Sequence, residues 1–359
     1  MIIMDHATGA VLAEKNPDLP LPPASMSKLM TMNMVFEALE AGRLTLDLEL
    51  PVSQHAANYR GSSMFLKRGE RISVLDLIRG VIVLSGNDAS AVLAEALSPD
   101  GTEAGFARLM NTRAVELGLT NSHFANSNGW PDPTQRMSAR DLAILASRLI
   151  RDFPDYYRYF AETEFGFDER VPDNRYNRNP LLSLRIGADG LKTGYTRNAG
   201  YGLVGSAVRD GRRVVFVVSG LDSRTTRTSE SEQIVNWYFI QFSRKVLFSQ
   251  GETVTQVPLW MGDETHLPVT VSEDAAVLVP SASTSDIEAE AVFGQQFQAP
   301  VAEGQMVGEL RVTVPGLTGE TVFPLVAAQT IDRSGIVGRL SLAARRMFTR
   351  FVTDRLLGS

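Results

Sequence analysis

The chain contains no cysteine, which removes disulfides, thiolate catalysis and Cys-ligated metals together. Histidine is nearly as scarce, with only His6, His55, His123 and His266. They are scattered, with no His-Glu-x-x-His pair and no evident carboxylate to orient a Ser-His-Asp triad. Metal-dependent and histidine-dependent hydrolysis are therefore disfavoured, and no cofactor or metal is expected. No run of about 18 apolar residues occurs, the length that a membrane-crossing helix requires. Met1–Asp5 also lacks the basic n-region, apolar core and small-residue cleavage site of an export signal. It reads as a strand, followed by a turn at Ala7-Thr8-Gly9, so the chain is expected to open inside a first hairpin, as a trimmed sequence or one with a late start codon. Basic residues are almost missing from 251–330, where Arg311 stands against eleven Asp and Glu. Nucleic-acid binding has no support, because the only basic cluster is the C-terminal tail.

What is present is a large apolar fraction and three short polar clusters. With 359 residues, 44% of them hydrophobic, the chain can bury a large core and exceeds one typical domain. Ser25-Met26-Ser27-Lys28, Ser85-Gly86-Asn87 and Lys192-Thr193-Gly194 occur in that order. A serine hydroxyl is a weak nucleophile until a base removes its proton, and a lysine amine serves if it is unprotonated. Residues 25–41 read as a helix, with Leu29, Met32, Met34, Val35, Phe36 and Leu39 at three-to-four spacing and Gly42 as the stop. Positions i and i+3 share a helix face, so Ser25 lies beside Lys28, and free N–H groups at the helix start face a developing oxyanion. Lys192 is the candidate second cation that would lower the Lys28 pKa.

The three clusters together form the Ser-x-x-Lys, Ser-x-Asn and Lys-Thr-Gly signature of penicillin-interacting acyl-transfer enzymes. A chance Lys-Thr-Gly is expected well under about one time in ten in such a chain, and the ordered triple is far rarer. Through these clusters, and through Pro23-Ala24, Leu77-Ile78-Arg79-Gly80, Asp88-Ala89, Ser138-Ala139-Arg140-Asp141, Asn177-Arg178-Asn179 and Gly190-Leu191, the chain resembles the D-alanyl-D-alanine carboxypeptidases, the low-molecular-mass penicillin-binding proteins, over nearly its whole length. The middle triplet is Ser-Gly-Asn rather than Ser-Asp-Asn, and no Glu-x-x-Leu-Asn lies between the second and third clusters. Both features depart from class A β-lactamases and argue against rapid penicillin hydrolysis.

The resemblance implies roles. Ser25 attacks the carbonyl between two D-alanines of a peptidoglycan stem peptide, Lys28 takes the proton, and an acyl-enzyme forms that β-lactams would trap. Ser85 and Lys192 relay a proton to the leaving amine, and Asn87 holds Lys28 or the substrate amide. The N–H groups of Ser25 and Tyr195 form the oxyanion hole. Thr193 and Arg227 receive the terminal carboxylate, with Arg224 as rival. Gly86 and Gly194 are read as close-approach residues and Ser27 as a surface or capping residue. A solvated pair with Glu230 or Glu232 is the competing reading for Arg227. Asn177, Arg178 and Asn179 are read as cleft lining or simply a polar loop. D,D-endopeptidase, serine β-lactamase or esterase, and a non-catalytic wall-binding scaffold are the alternatives.

The expected fold is α+β. Strands at 2–5, 10–14, 191–195, 200–208 and 213–220, the last two joined at Asp210-Gly211, make an antiparallel sheet. Helices at 74–84, 88–97, 102–117 and 138–151 make a lobe against it. The resemblance implies the penicillin-binding, β-lactamase-like transpeptidase fold. Residues 1–246 form the catalytic domain, and 247–333 a small all-β domain with strands around 254–257 and 311–314. Residues 334–359 read as a basic amphipathic helix, with Ile336, Leu340, Met347, Phe348, Phe351 and Leu356 on one face and Arg339, Arg345, Arg346, Arg350 and Arg355 on the other. Such a helix suits an anionic membrane surface through 336–357. A position on the periplasmic face of the bacterial inner membrane is implied by the resemblance.

Overall fold

The computed structural model describes all residues except 169, 282–286, 295, 318 and 336–359. The amphipathic segment therefore lies outside the described residues. The chain divides into two compact units, Met1–Ile240 and the residues from Gln241 onward. The division precedes the composition change after 246, because strand Phe242–Phe248 pairs with Ala275–Pro280 of the second unit.

The first unit is built on a five-stranded antiparallel sheet. Ile2–Asp5 pairs with Val11–Glu14 on one side and Arg212–Leu221 on the other. Gly200–Arg209 follows, and Ala188–Thr196 is the edge strand. The turn between Gly200–Arg209 and Arg212–Leu221 uses Asp210 and Gly211, both at positive φ (49° and 74°), as a two-residue hairpin of the right twist requires. The central strands carry Leu203, Val204, Val214, Val215, Phe216 and Val217, all fully buried.

The helical lobe sits between the first hairpin and the last three strands in sequence. Helices Val74–Ile82, Glu103–Glu116 and Ala139–Asp152 each start behind a hydroxyl that accepts a backbone N–H: Ser73 from Asp76, Thr102 from Gly105 and Ser138 from Asp141. Each such cap is worth about 1 kcal/mol, because it satisfies a donor that the helix leaves orphaned. Helices Lys28–Glu40 and Asn87–Leu97 are the interior pair, buried almost all round, as expected of helices that lack a polar face.

The second unit is all-β among the described residues. A six-stranded sheet contains Thr253–Trp260, His266–Val271, Met306–Thr313 and Glu320–Ala327. Its core gathers Leu267, Val269, Leu310, Val312 and Leu325. The alternation read at 254–257 falls within Thr253–Trp260, and that at 311–314 runs one residue past the end of Met306–Thr313. Among the described residues, no helix is long and apolar enough to cross a membrane.

Candidate active site

Ser25 sits in a short 3-10 turn, Ala24–Ser27, that runs directly into helix Lys28–Glu40. The expected single helix over 25–41 is therefore two segments. The tighter turn helps the chemistry, because side chains at i and i+3 eclipse in 3-10 geometry. The Lys28 ammonium donates to Ser25 Oγ at 3.0 Å. Ser27, read as surface or capping, is fully buried and donates to the Ala24 carbonyl at 3.0 Å, stabilising the turn from beneath.

Lys28 is completely buried. Besides Ser25, its Nζ donates to Asn87 Oδ1 at 2.7 Å and to the Asn128 carbonyl at 2.6 Å. Burial pushes its pKa down to about 7, and the Arg178 guanidinium adds to the shift. The cation that lowers Lys28 is thus Arg178, not Lys192. Lys192 is itself driven well below the usual lysine range by burial, then by Lys28, Arg178 and Arg227, so it is a poor source of repelling charge.

Asn128 is a partner that sequence reasoning missed. Its loop is held by Glu103, a buried carboxylate that accepts from Ser127 N at 3.0 Å, Tyr59 Oη at 2.6 Å and Asn128 Nδ2 at 3.3 Å. Burial raises the Glu103 pKa, but hydrogen bonds from Ser127, Tyr59 and His55 outweigh it and keep the carboxyl below its ordinary value. His55 Nε2 lies 2.7 Å from Glu103, so this histidine supports a loop. Among the described residues, no cluster of His, Asp or Glu could hold a metal ion.

The second polar cluster occupies the junction between helices Val74–Ile82 and Asn87–Leu97. Ser85 has φ of 62°, a backbone state costing a non-glycine residue about 1–2 kcal/mol. The turn is held by Gly86 N to Gly80 O at 2.9 Å and Asn87 N to Ser62 O at 2.8 Å. Asp88, just inside the helix, takes Ser63 Oγ (2.6 Å) and the N–H groups of Met64 and Leu66, fastening the 63–66 loop to the same helix start. Ser85 Oγ then accepts from Lys192 Nζ at 2.9 Å. The two serine–lysine pairs are coupled by charge: Lys28 and Arg178 both disfavour a proton on Lys192.

Lys192, Thr193, Gly194 and Tyr195 lie on edge strand Ala188–Thr196. Gly194 is a close-approach residue, as its sequence context implied: a Cβ there would meet the Pro23 carbonyl at 2.8 Å and Met26 Cγ at 3.0 Å. Thr193, Gly194 and Tyr195 wall a cleft of about 410 Å³ together with Ser25, Ser85 and the Arg178 side. Tyr195 is exposed and stacks on Tyr201, with ring centroids 4.2 Å apart.

The far wall carries Arg178, Arg224 and Arg227. Arg227 is buried; its Nη2 donates to the Arg178 carbonyl at 3.3 Å, and its guanidinium lies over Tyr201. Its Nε has no hydrogen-bond partner among the described residues. The solvated pair with Glu230 or Glu232 is not formed. Burial and then Arg224 lower the pKa values of both Arg178 and Arg227, the signature of cations gathered without a counter-ion. Of the Asn177-Arg178-Asn179 stretch only Arg178 lines the cleft. Asn177 donates to Glu162 O and Asn179 to Gly190 O, both at 2.8 Å, so they hold the loop and the strand.

Comparison with known proteins agrees with this geometry. The D-alanyl-D-alanine carboxypeptidase family matches residues 1–223, and the penicillin-binding protein 5 C-terminal domain matches 242–333. Escherichia coli K12 D-alanyl-D-alanine carboxypeptidase DacC is 38% identical over 94% of this chain and 85% of its own length. Bacillus subtilis DacF is 32% identical over 94% and 86%. Penicillin-binding protein 5 of Haemophilus influenzae has a TM-score of 0.81 and 33% identity, covering 92% of this chain and 96% of its own. Penicillin-binding protein D2 of Listeria monocytogenes, in its ampicillin-bound form, has a TM-score of 0.59 and 31% identity over 66% of this chain and 96% of its own. With an α+β first unit and relatives that span nearly its whole length, the chain belongs to the D-alanyl-D-alanine carboxypeptidase family of serine-type peptidases.

Proposed function

We propose that the protein removes the terminal D-alanine from peptidoglycan stem peptides ending in D-alanyl-D-alanine, through an acyl-enzyme on Ser25. The observation that carries this reading is the buried Lys28 amine, 3.0 Å from Ser25 Oγ, with a pKa lowered to about 7. Near neutral pH a large fraction of it is a free base, matched to the proton it must take. Ser25 Oγ attacks the carbonyl, and the backbone N–H groups of Ser25 and Tyr195 receive the oxyanion. The Ser85–Lys192 pair, at 2.9 Å, delivers a proton to the leaving D-alanine amine as the C–N bond breaks. Asn87 fixes Lys28, while Thr193 and the arginine wall, Arg227 foremost, take the terminal carboxylate. Water then cleaves the ester, and Ser25 is restored.

Penicillins are expected to acylate the same serine, a reading supported by solved Listeria neighbours in ampicillin-bound and cefotaxime-bound forms. Location on the periplasmic face of the inner membrane, with contact to anionic lipid through 336–357, belongs to this proposal, as does a pedestal role for the second unit.

Mass spectrometry of free D-alanine released from a pentapeptide, with penicillin-blocked enzyme as control, tests the assignment. Release that disappears in Ser25→Ala supports it. Fast hydrolysis of nitrocefin or a short-chain ester without D-alanine release would overturn it in favour of a β-lactamase or esterase.

A further inference from the structure

A second cleft, of about 360 Å³, opens on the other side of the nucleophile turn. Edge strand Ala188–Thr196 links the two. Thr193, Gly194 and Tyr195 wall the first cleft, whereas Thr196, Arg197 and Asn198 wall the second. Ser25 borders the first cleft and Ala24 the second, so the reactive serine stands on the ridge between them. A peptide extended along this edge advances about 3.3 Å per residue. If its scissile carbonyl is at Ser25 and its terminal carboxylate at the arginine wall, the residues preceding the D-alanine pair must run toward the second cleft.

The lining of that cleft has a definite chemistry. Trp130, 43% exposed, supplies an open apolar face. Arg197 is exposed and Arg136 half-buried, and neither forms an ion pair among the described residues. Arg136 Nη1 donates to the Gln135 carbonyl at 2.8 Å. Gln135, 2% exposed, accepts from Ala125 N at 2.7 Å through Oε1, while its Nε2 has no partner among the described residues. Asp132 is the one acid on the wall. It is held by Thr134 N and Oγ1 at 2.7 and 2.6 Å, and these bonds keep its carboxyl below the ordinary range.

We propose that this cleft is a specificity subsite for the residue preceding the D-alanine pair. It takes a side chain whose aliphatic stem lies on Trp130 and whose terminal carboxylate is received by Arg136 and Arg197. The inference rests on the D,D-carboxypeptidase reading of Ser25. It commits to one class of substrate, a long-stemmed acidic residue, over a long-stemmed neutral or cationic one.

The test compares kcat/KM for three acetylated tripeptides X-D-alanyl-D-alanine, with X as 2-aminoadipate, Nε-acetyl-lysine or lysine. Partly exposed arginine–carboxylate contacts are each worth a small factor, so the aminoadipyl peptide should lead the acetyl-lysyl one by about fivefold to tenfold. In Arg136→Ala/Arg197→Ala that ratio should fall to within about twofold. In Arg197→Glu, a change at an exposed position with little bearing on folding, the order of the acidic and lysyl peptides should reverse. A ratio near one in the unaltered protein, or a preference that survives both variants, overturns the subsite. Failure to release D-alanine from any of the three would instead sink the reading of Ser25 on which it stands.

Discussion

The two units handle polar groups in opposite ways. In the first, Lys28, Lys192, Asp88, Glu103 and Arg227 are all buried. In the second, Thr270 and Ser334 are the only buried polar side chains among the described residues, and none of the described acids of 251–330 is buried. Burying a charge is costly unless it is paired or its proton is surrendered. The first unit bears that cost repeatedly, the behaviour expected where pKa values are tuned for chemistry. The second keeps its described charges at the surface, around an apolar core.

The contrast can be broken from either side. The largest effect is expected at the base: Lys28→Arg places a group that cannot be deprotonated beside Ser25 and should lower kcat/KM by about a thousandfold or more, as should Ser25→Ala. Steady-state release of D-alanine checks both. Gly194→Ala, whose Cβ would press on the Pro23 carbonyl at 2.8 Å, should cost roughly tenfold to a hundredfold by displacing the edge strand about the nucleophile turn. Comparison of penicillin acylation rates would expose that displacement directly.

A smaller effect is expected from Arg178→Gln. The arginine disfavours the protonated form of Lys28, so its removal raises the Lys28 pKa above about 7. The acid limb of the kcat/KM profile should therefore move to higher pH, and a limb that stays put or moves down would refute the assignment of Arg178 as the tuning charge. The smallest effect on rate is expected in the second unit. Leu325→Ala in its core should destabilise that unit by about 2–5 kcal/mol, seen by calorimetry, yet leave turnover of a soluble tripeptide within about twofold. A large loss of rate would mean that the second unit takes part in the chemistry after all.

Local signals made much of this legible in the sequence. Ser73, Thr102 and Ser138 mark three helix starts because a cap is a property of a few adjacent residues. Asp210-Gly211 marks a hairpin for the same reason. Ser25 and Lys28 are three apart, so their meeting needed only one turn of chain. What escaped notice is non-local. Asn128 reaches Lys28 across 100 positions, Glu103 is identifiable only once its loop partners are in place, and Arg178 lies in a stretch equally readable as a plain polar loop. The boundary expected at 246 from the change in composition falls inside strand Phe242–Phe248. Its membership is decided by pairing with Ala275–Pro280.

The three contacts of Lys28 have a stereochemical consequence. Asn87 donates through Nδ2 to the Arg60 carbonyl at 2.8 Å, which fixes its amide so that only oxygen faces the lysine. The Asn128 contact is a main-chain carbonyl. Two of the three neighbours can therefore accept a hydrogen and never supply one. As an ammonium, Lys28 satisfies all three; as a free amine it keeps two hydrogens for the two carbonyls, and its remaining lone pair can point only at the hydroxyl of Ser25. Loss of one proton thus aims the base as well as creating it, with no rotation left to search.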